Sequence, residues 1–514
     1  MGVRSRTGCL ACKRRKRRCD EERPACKNCQ VRGLVCPYIS AGGNPGPLKL
    51  KIYRGDRPSL SLRKRDQWHF LTVSSYDVGR LSSEHSPATT SVASDTADDA
   101  PPKPLYPMIT GHSIPGSVVD QCDGVEKQLF QYYLQVICRA RVFEDGSSNL
   151  YRSLVVPLCS KEGPLIYAVL SVSANDRRGE SDSPFVNYEQ LCLSYKSRAL
   201  RMLRQSLGEH DQANEALMSC LILCSLEIAS GCQPDWIRHV QGAVAIIKSF
   251  ARSIDPEILF FAYSYFQSRA TFFRTTACKD EDKDTADRPD RFWSGPTFKD
   301  SDGDVRDAPT KKEGKTIILP HVGCSLSLLS IIAQATDLVT QKQHLRGRGN
   351  SSLTDEDEMM RRAMSLRSDL VLLKEENPSG SDYLATCAQC FHMAAHMYLQ
   401  LACDIPLTQP TLQAILSKLL DHIGMVVHED QERQLFPMWP LFLAGCLSTT
   451  DEQRLRVLNY YTVLTYSWPI SNVPIARQAT ETIWKYRDLN PDDHRNGFDW
   501  QMVISQMNWK LALS

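Results

Sequence analysis

The stretch CLACKRRKRRCDEERPACKNCQVRGLVC, residues 9–36, carries six cysteines: Cys9, Cys12, Cys19, Cys26, Cys29 and Cys36. They form two halves of identical spacing, C-x2-C-x6-C, separated by six residues. Zinc is held tetrahedrally by thiolates, so two ions call for eight metal–sulfur bonds, which six cysteines supply only if two of them bridge. No histidine precedes His69, which leaves thiolates as the ligands. An even number of regularly spaced cysteines would also suit a disulfide framework in an oxidising compartment. Residues 1–12 are polar and basic, without the apolar run of a secretory signal, so a reducing compartment and metal binding are expected instead.

The gap between Cys12 and Cys19 is wholly basic: Lys13, Arg14, Arg15, Lys16, Arg17 and Arg18. Each C-x2-C fixes the start of a short helix to a metal, so these cations project from a rigid turn. A segment this short has almost no apolar core, and metal binding must supply its folding free energy. Over residues 1–66, 18 Lys and Arg stand against 5 Asp and Glu, whereas the remainder carries 43 against 54 and the whole chain nets +2. That polarity predicts a nucleic-acid-binding head on a neutral to acidic body. The same basic run would serve nuclear import, so the nucleus is the expected location.

The six cysteines, the basic first gap and Pro24 in the joining loop resemble the fungal zinc binuclear cluster family of transcription factors. The resemblance implies two zinc ions per chain bridged by Cys9 and Cys26. One ion then takes Cys9, Cys12, Cys19 and Cys26, the other Cys26, Cys29, Cys36 and Cys9. It also implies that the first helix enters the major groove and reads a CGG-type triplet. Lys16 falls in the base-reading position with Arg15 beside it, and guanine O6 and N7 are the acceptors offered there. Arg14, Arg17 and Arg18 fall to phosphates, which fix register without carrying sequence information. The implied activity is sequence-specific regulation of RNA polymerase II genes, commonly metabolic or secondary-metabolite genes. Double-stranded DNA and the transcription machinery or co-regulators are the implied partners.

The expected architecture is a small zinc-nucleated cluster domain (1–40), a disordered linker (41–120) and a large all-α regulatory domain (121–514). The linker is Gly/Pro-rich over 41–47 and rich in Ser, Thr and Asp over 82–99. No heptad register is sustained there and Pro45, Pro47 and Pro58 would interrupt one, so monomer and homodimer both stay open. From about 121 onward the apolar pattern is helical. Tyr188, Leu191, Cys192, Tyr195, Ala199, Met202 and Leu203 follow helical spacing, and Trp236, Val240, Ala243, Val244 and Ile247 repeat it after Pro234, read as a first-turn proline. Further helical stretches are expected near 125–143, 213–229, 323–339, 381–403 and 453–466. Residues 236–243 are similar to the W-x-R-H-x-x-G-A stretch of the fungal-specific regulatory domain; without that resemblance they read as a buried amphipathic helix with Gly242 at a close packing contact. Residues 279–316 read as a mobile charged loop, holding 11 acidic and 9 basic residues up to Lys315.

Other function classes find little support. Gly323-Cys324-Ser325-Leu326-Ser327 lacks the second glycine of a nucleophile elbow, and no phosphate-binding glycine loop follows a strand, so no enzyme is expected. Cys387, Cys390, His392 and His396 cluster in sequence, but on one helix the cysteine and histidine pairs project to different sides. Apolar runs such as 216–229 are broken by Ser219, Ser225 and Glu227, so no membrane partner is expected. A helical body of this size can hold a pocket for a small-molecule effector.

Overall fold

The structure, a computed structural model, describes residues 20, 26–31, 122–147, 149–159, 163–179, 186–206, 212–277, 297–299, 305–307, 316–348, 353–403, 406, 408–427, 434–468, 471–490 and 498–514. The chain divides into two units, Met1–Lys103 and Pro104–Ser514. The expected linker, 41–120, lies outside the described residues.

Within the first unit the described residues form one short helix, α1 (Lys27–Gln30). The second unit is helical. It opens with α2 (Gly124–Tyr132), which runs through a π turn (Tyr133–Ile137) into Cys138–Ala140. Then follow α3 (Pro164–Asp176), α4 (Tyr188–Ser206), α5 (Ala213–Ala229), α6 (Trp236–Phe250) and α7 (Pro256–Thr276). After two short strands come α8 (Leu326–Arg348), α9 (Leu353–Leu372), α10 (Asp382–Ala402), α11 (Pro410–Val426), α12 (Met438–Leu447), α13 (Asp451–Ser467), α14 (Val473–Leu489) and α15 (Asp499–Gln506). The strands β1 (Thr297–Lys299) and β2 (Val305–Asp307) pair antiparallel with Phe298 opposite Arg306, inside the stretch for which no strand was expected.

Capping residues set many of the helix starts. Asp123 accepts from the Glu126 amide at 2.7 Å while Glu126 accepts from the Asp123 amide at 3.3 Å, a reciprocal capping box that opens α2. Asp255 accepts from the Glu257 amide at 2.8 Å, and Pro256, which has no N–H to satisfy, takes the first position of α7. Pro234 does not play that part in α6: it lies in the preceding turn, and Asp235 is the flanking residue of a helix that begins at Trp236.

Two apolar clusters fill the second unit. One gathers α2–α6 and the first part of α7, the other gathers Phe272 at the end of α7 with α8–α15. Helix α7 therefore runs through both, which is why it is buried nearly all round. In the second cluster Phe272 stacks against both Phe391 (5.4 Å) and Trp439 (5.1 Å), and the Trp439 indole N–H donates to Thr275 Oγ1 at 2.9 Å. Gly323, at φ +88°, turns the chain against these rings: a Cβ there would meet Phe143 at 2.6 Å and Phe391 at 2.8 Å. That turn explains the glycine of the Gly-Cys-Ser sequence, and Ser325 Oγ accepts from the Leu328 amide at 3.2 Å as a helix cap.

The last residues join the two clusters. Ala512 belongs to the first and Leu511 and Leu513 to the second, all buried. The Trp236 indole donates to Lys510 O at 2.9 Å and the Asn472 amide to Ala512 O at 2.7 Å, so α6 and α14 hold the same tail segment. Within the residues 236–243, His239 is buried beside Glu227, whose carboxylate takes Lys196 at 2.5 Å and His239 at 3.8 Å. Burial pushes the Glu227 pKa up, yet these two partners more than offset it and hold the carboxyl below its ordinary value. Gly242 is not at a forced approach: a Cβ would meet the Cys220 sulfur at 3.5 Å, an ordinary contact.

Candidate nucleic-acid interface

Two of the six clustered cysteines are among the described residues. Cys26 flanks α1 in extended conformation (φ −67°, ψ 150°), and its carbonyl accepts from the Cys29 and Gln30 amides, each at 2.9 Å. The C-x2-C spacing thus closes one tight turn that carries both sulfurs. Both cysteines are buried (0% and 1% exposed) while Lys27, Gln30 and Val31 between and after them face solvent. Neither forms a disulfide. Asp20 Oδ2 accepts from the Lys27 amide at 2.9 Å, which fixes the start of the turn from the chain segment following Cys19. This carboxylate was not singled out by the spacing argument. The signal for it was its place directly after the third cysteine.

Cys9, Cys12, Cys19 and Cys36, and with them Lys13, Arg14, Arg15, Lys16, Arg17 and Arg18, lie outside the described residues. Among the described residues no three Cys, His, Asp or Glu side chains gather to hold a metal. The Cys26–Cys29 turn fits zinc on its chemistry: two unoxidised sulfurs turned inward on one helical turn in an otherwise exposed segment.

In the second unit, Cys387 and Cys390 face the core of α10 whereas His392 and His396 are half-buried, with His392 3.9 Å from Glu375. Cys220 and Cys224 on α5 are fully buried, and burial pushes both thiols up to about 12, which keeps them protonated. No helix of the described residues is long and apolar enough to cross a membrane.

The profile of the fungal Zn(2)-Cys(6) binuclear cluster domain matches residues 7–41, and that of the fungal specific transcription factor domain matches residues 128–514. The chain belongs to the fungal Zn(2)-Cys(6) transcription factors, DNA-binding regulators whose cluster domain binds two zinc ions. It is 22% identical to the transcriptional activator protein UGA3 of Saccharomyces cerevisiae over 99% of this chain and 97% of that one. Similarity to an uncharacterized transcriptional regulatory protein of Schizosaccharomyces pombe reaches 20% identity over 99% of this chain and 96% of the relative. The transcriptional regulatory protein UME6 of Saccharomyces cerevisiae shares 57% over 37 residues, 7% of this chain and 4% of that one. No solved structure matches.

Proposed function

We propose that the chain reads CGG-type half-sites in the major groove from the nucleus of a fungal cell and regulates RNA polymerase II genes of metabolism or secondary metabolism. The observation that carries this reading is the unbroken basic gap Lys13–Arg18 between two cysteines of the cluster. The ligand set is Cys9, Cys12, Cys19, Cys26, Cys29 and Cys36, with Cys9 and Cys26 shared between the ions. Zinc supplies the fold of the head, and these residues do the holding. Lys16 donates to guanine O6 and N7, while Arg14, Arg17 and Arg18 hold phosphates. Lys13 and Arg15 complete the basic face. The helical body makes the contacts with co-regulators and takes the effector.

Mobility shifts on CGG and scrambled duplexes at several salt concentrations test this assignment. Lys16→Ala should weaken CGG binding and flatten the preference, since a good base contact discriminates by about 1–3 kcal/mol. Arg17→Ala or Arg18→Ala should weaken all duplexes alike and reduce the slope of log affinity against log salt by about 0.9 each. Full CGG preference in Lys16→Ala would remove Lys16 from the reading role.

A further inference from the structure

Helix α9 (Leu353–Leu372) carries two apolar faces, one packed and one bare. Ala363, Leu366 and Leu370 are buried in the second cluster, where α9 packs against α8 and α10. Met360, Met364 and Val371 are 51%, 62% and 69% exposed. Single exposed apolar side chains are ordinary on a protein surface, but these three are aligned. At about 100° per residue they fall within about 40° of arc, which Asp357 on one edge and Arg367 on the other widen to about 80°.

The bare stripe has the spacing of a helix-pairing surface. Asp357, Met360, Met364, Arg367 and Val371 recur at intervals of three and four, a mean period of about 3.5 residues, and Leu353 at the start of α9 holds the same register. Its charges are uncompensated: Asp357 and Arg367 are exposed, and among the described residues neither makes an ion pair or a hydrogen bond. They stand ten residues apart, about 15 Å along the helix, too far to pair with each other. Arg367 acts electrostatically on His396 of α10, another base, which does not balance it. On the neighbouring flank Arg361 and Glu358 already pair with each other at 2.7 Å.

The order of these side chains is its own complement. Positions 357 and 367, 360 and 364, and 353 and 371 are each symmetric about residue 362. A second copy of α9 laid antiparallel about a two-fold axis at that point sets Asp357 against the partner's Arg367 twice over, sets Met360 against the partner's Met364, and brings residue 353 level with the partner's Val371. Parallel pairing would instead set each of these charges against its own copy, which repulsion opposes. We infer that two copies of this chain associate through the exposed stripe of α9, antiparallel, with methionines at the centre and an Asp357–Arg367 ion pair on either side. A stripe serving an unrelated partner has no reason to be symmetric in sequence. Methionine suits such a contact because its flexible side chain fills irregular gaps. One helix pair is small beside the about 1,200–2,000 Å² of stable interfaces, so the dimer forms in the micromolar range and dissociates on dilution. Nothing in this pairing depends on which DNA the head reads.

Sedimentation equilibrium of the full-length, zinc-loaded chain over roughly 1–100 µM is the test. A monomer–dimer equilibrium is expected, weakening as salt rises because its ion pairs lie near the surface. Met364→Glu sets a carboxylate against the partner's Met360 and should lower the association on the order of a hundredfold. The position is 62% exposed in the single chain, so helical circular dichroism and the unfolding temperature at the dilute end should not change. Asp357→Arg and Arg367→Asp, each alone, create two like-charge contacts per dimer and should weaken it on the order of tenfold to a hundredfold. The double variant, Asp357→Arg with Arg367→Asp, restores both attractions and should recover most of the loss, as should an equimolar mixture of the two single variants. That rescue has no source within one chain, where the two residues do not meet. A chain that stays monomeric throughout the range, a dimer that survives Met364→Glu, or a double variant no tighter than the singles would overturn the pairing, the first of these leaving the stripe to a different protein. None of these readouts involves a duplex, so a failure of DNA reading is separable from a failure of the pairing.

Discussion

The head and the body solve the same physical problem by different means. In the head, the described turn buries two sulfurs and exposes Val31 to 86%, so its inward-facing groups are thiols and not an apolar core. The body buries Trp236, Trp439 and Trp500 with many smaller side chains around them. A fold made by metal is lost all at once when the metal leaves, whereas a fold made by burial loses stability in proportion to what is removed.

The largest test of that contrast is removal of zinc. A strong chelator applied to the full chain should abolish duplex binding, since structural zinc is worth about 10–16 kcal/mol in comparable small domains. The helical circular dichroism and main unfolding transition of the body should not move. A transition that falls with the metal would break the contrast. Next in size is Trp439→Ala, which deletes a ring stacked on Phe272 and leaves Thr275 Oγ1 without its donor. Denaturant unfolding should show a loss of about 3–5 kcal/mol, with CGG affinity unchanged below the transition.

A pH series sharpens the comparison further. His321 is buried, bonded through Nε2 to Ser264 Oγ at 2.7 Å, packed edge-on to Phe261 and repelled by Arg269, and burial first, then that cation, lower its pKa to about 3. Between that value and about 6.5 the unfolded chain binds a proton that the folded chain refuses, so stability is full above about 6.5 and falls as pH drops. The expected slope is up to about 1.4 kcal/mol per pH unit, and His321→Gln should flatten it. An unchanged slope would mean that this histidine is charged in the fold. The smallest effect belongs to the surface. Arg454 and Asp488 make two hydrogen bonds of 2.9 Å across α13 and α14, yet Asp488 is largely exposed. Asp488→Asn should cost no more than about 1 kcal/mol, less in high salt.

What could be read in the sequence follows from where contrast exists between neighbouring residues. The cysteine spacing is legible because chemistry fixes it, and the amphipathic helices α4 and α6 are legible because one face is buried and the other wet. Tyr188, Cys192, Tyr195, Ala199 and Leu203 are buried as their spacing requires, with Leu191 and Met202 half-buried at the edge of the stripe, and Trp236, Val240, Ala243, Val244 and Ile247 are buried too. Helices α3 and α12 gave no such signal: from Pro164 to Asn175 and from Met438 to Leu447 every residue is buried, so no polar stripe marks the period. The short β1–β2 pair was hidden for another reason, three-residue strands being too brief for alternation to register.

The tail that joins the two clusters also carries a lesson about synthesis. Leu511, Ala512 and Leu513 leave the ribosome after everything they seal, because the chain emerges from its N-terminal end and folds as it emerges. Until they arrive, the Trp236 indole and the Asn472 amide wait without their carbonyl acceptors, and the seam between the clusters stays exposed.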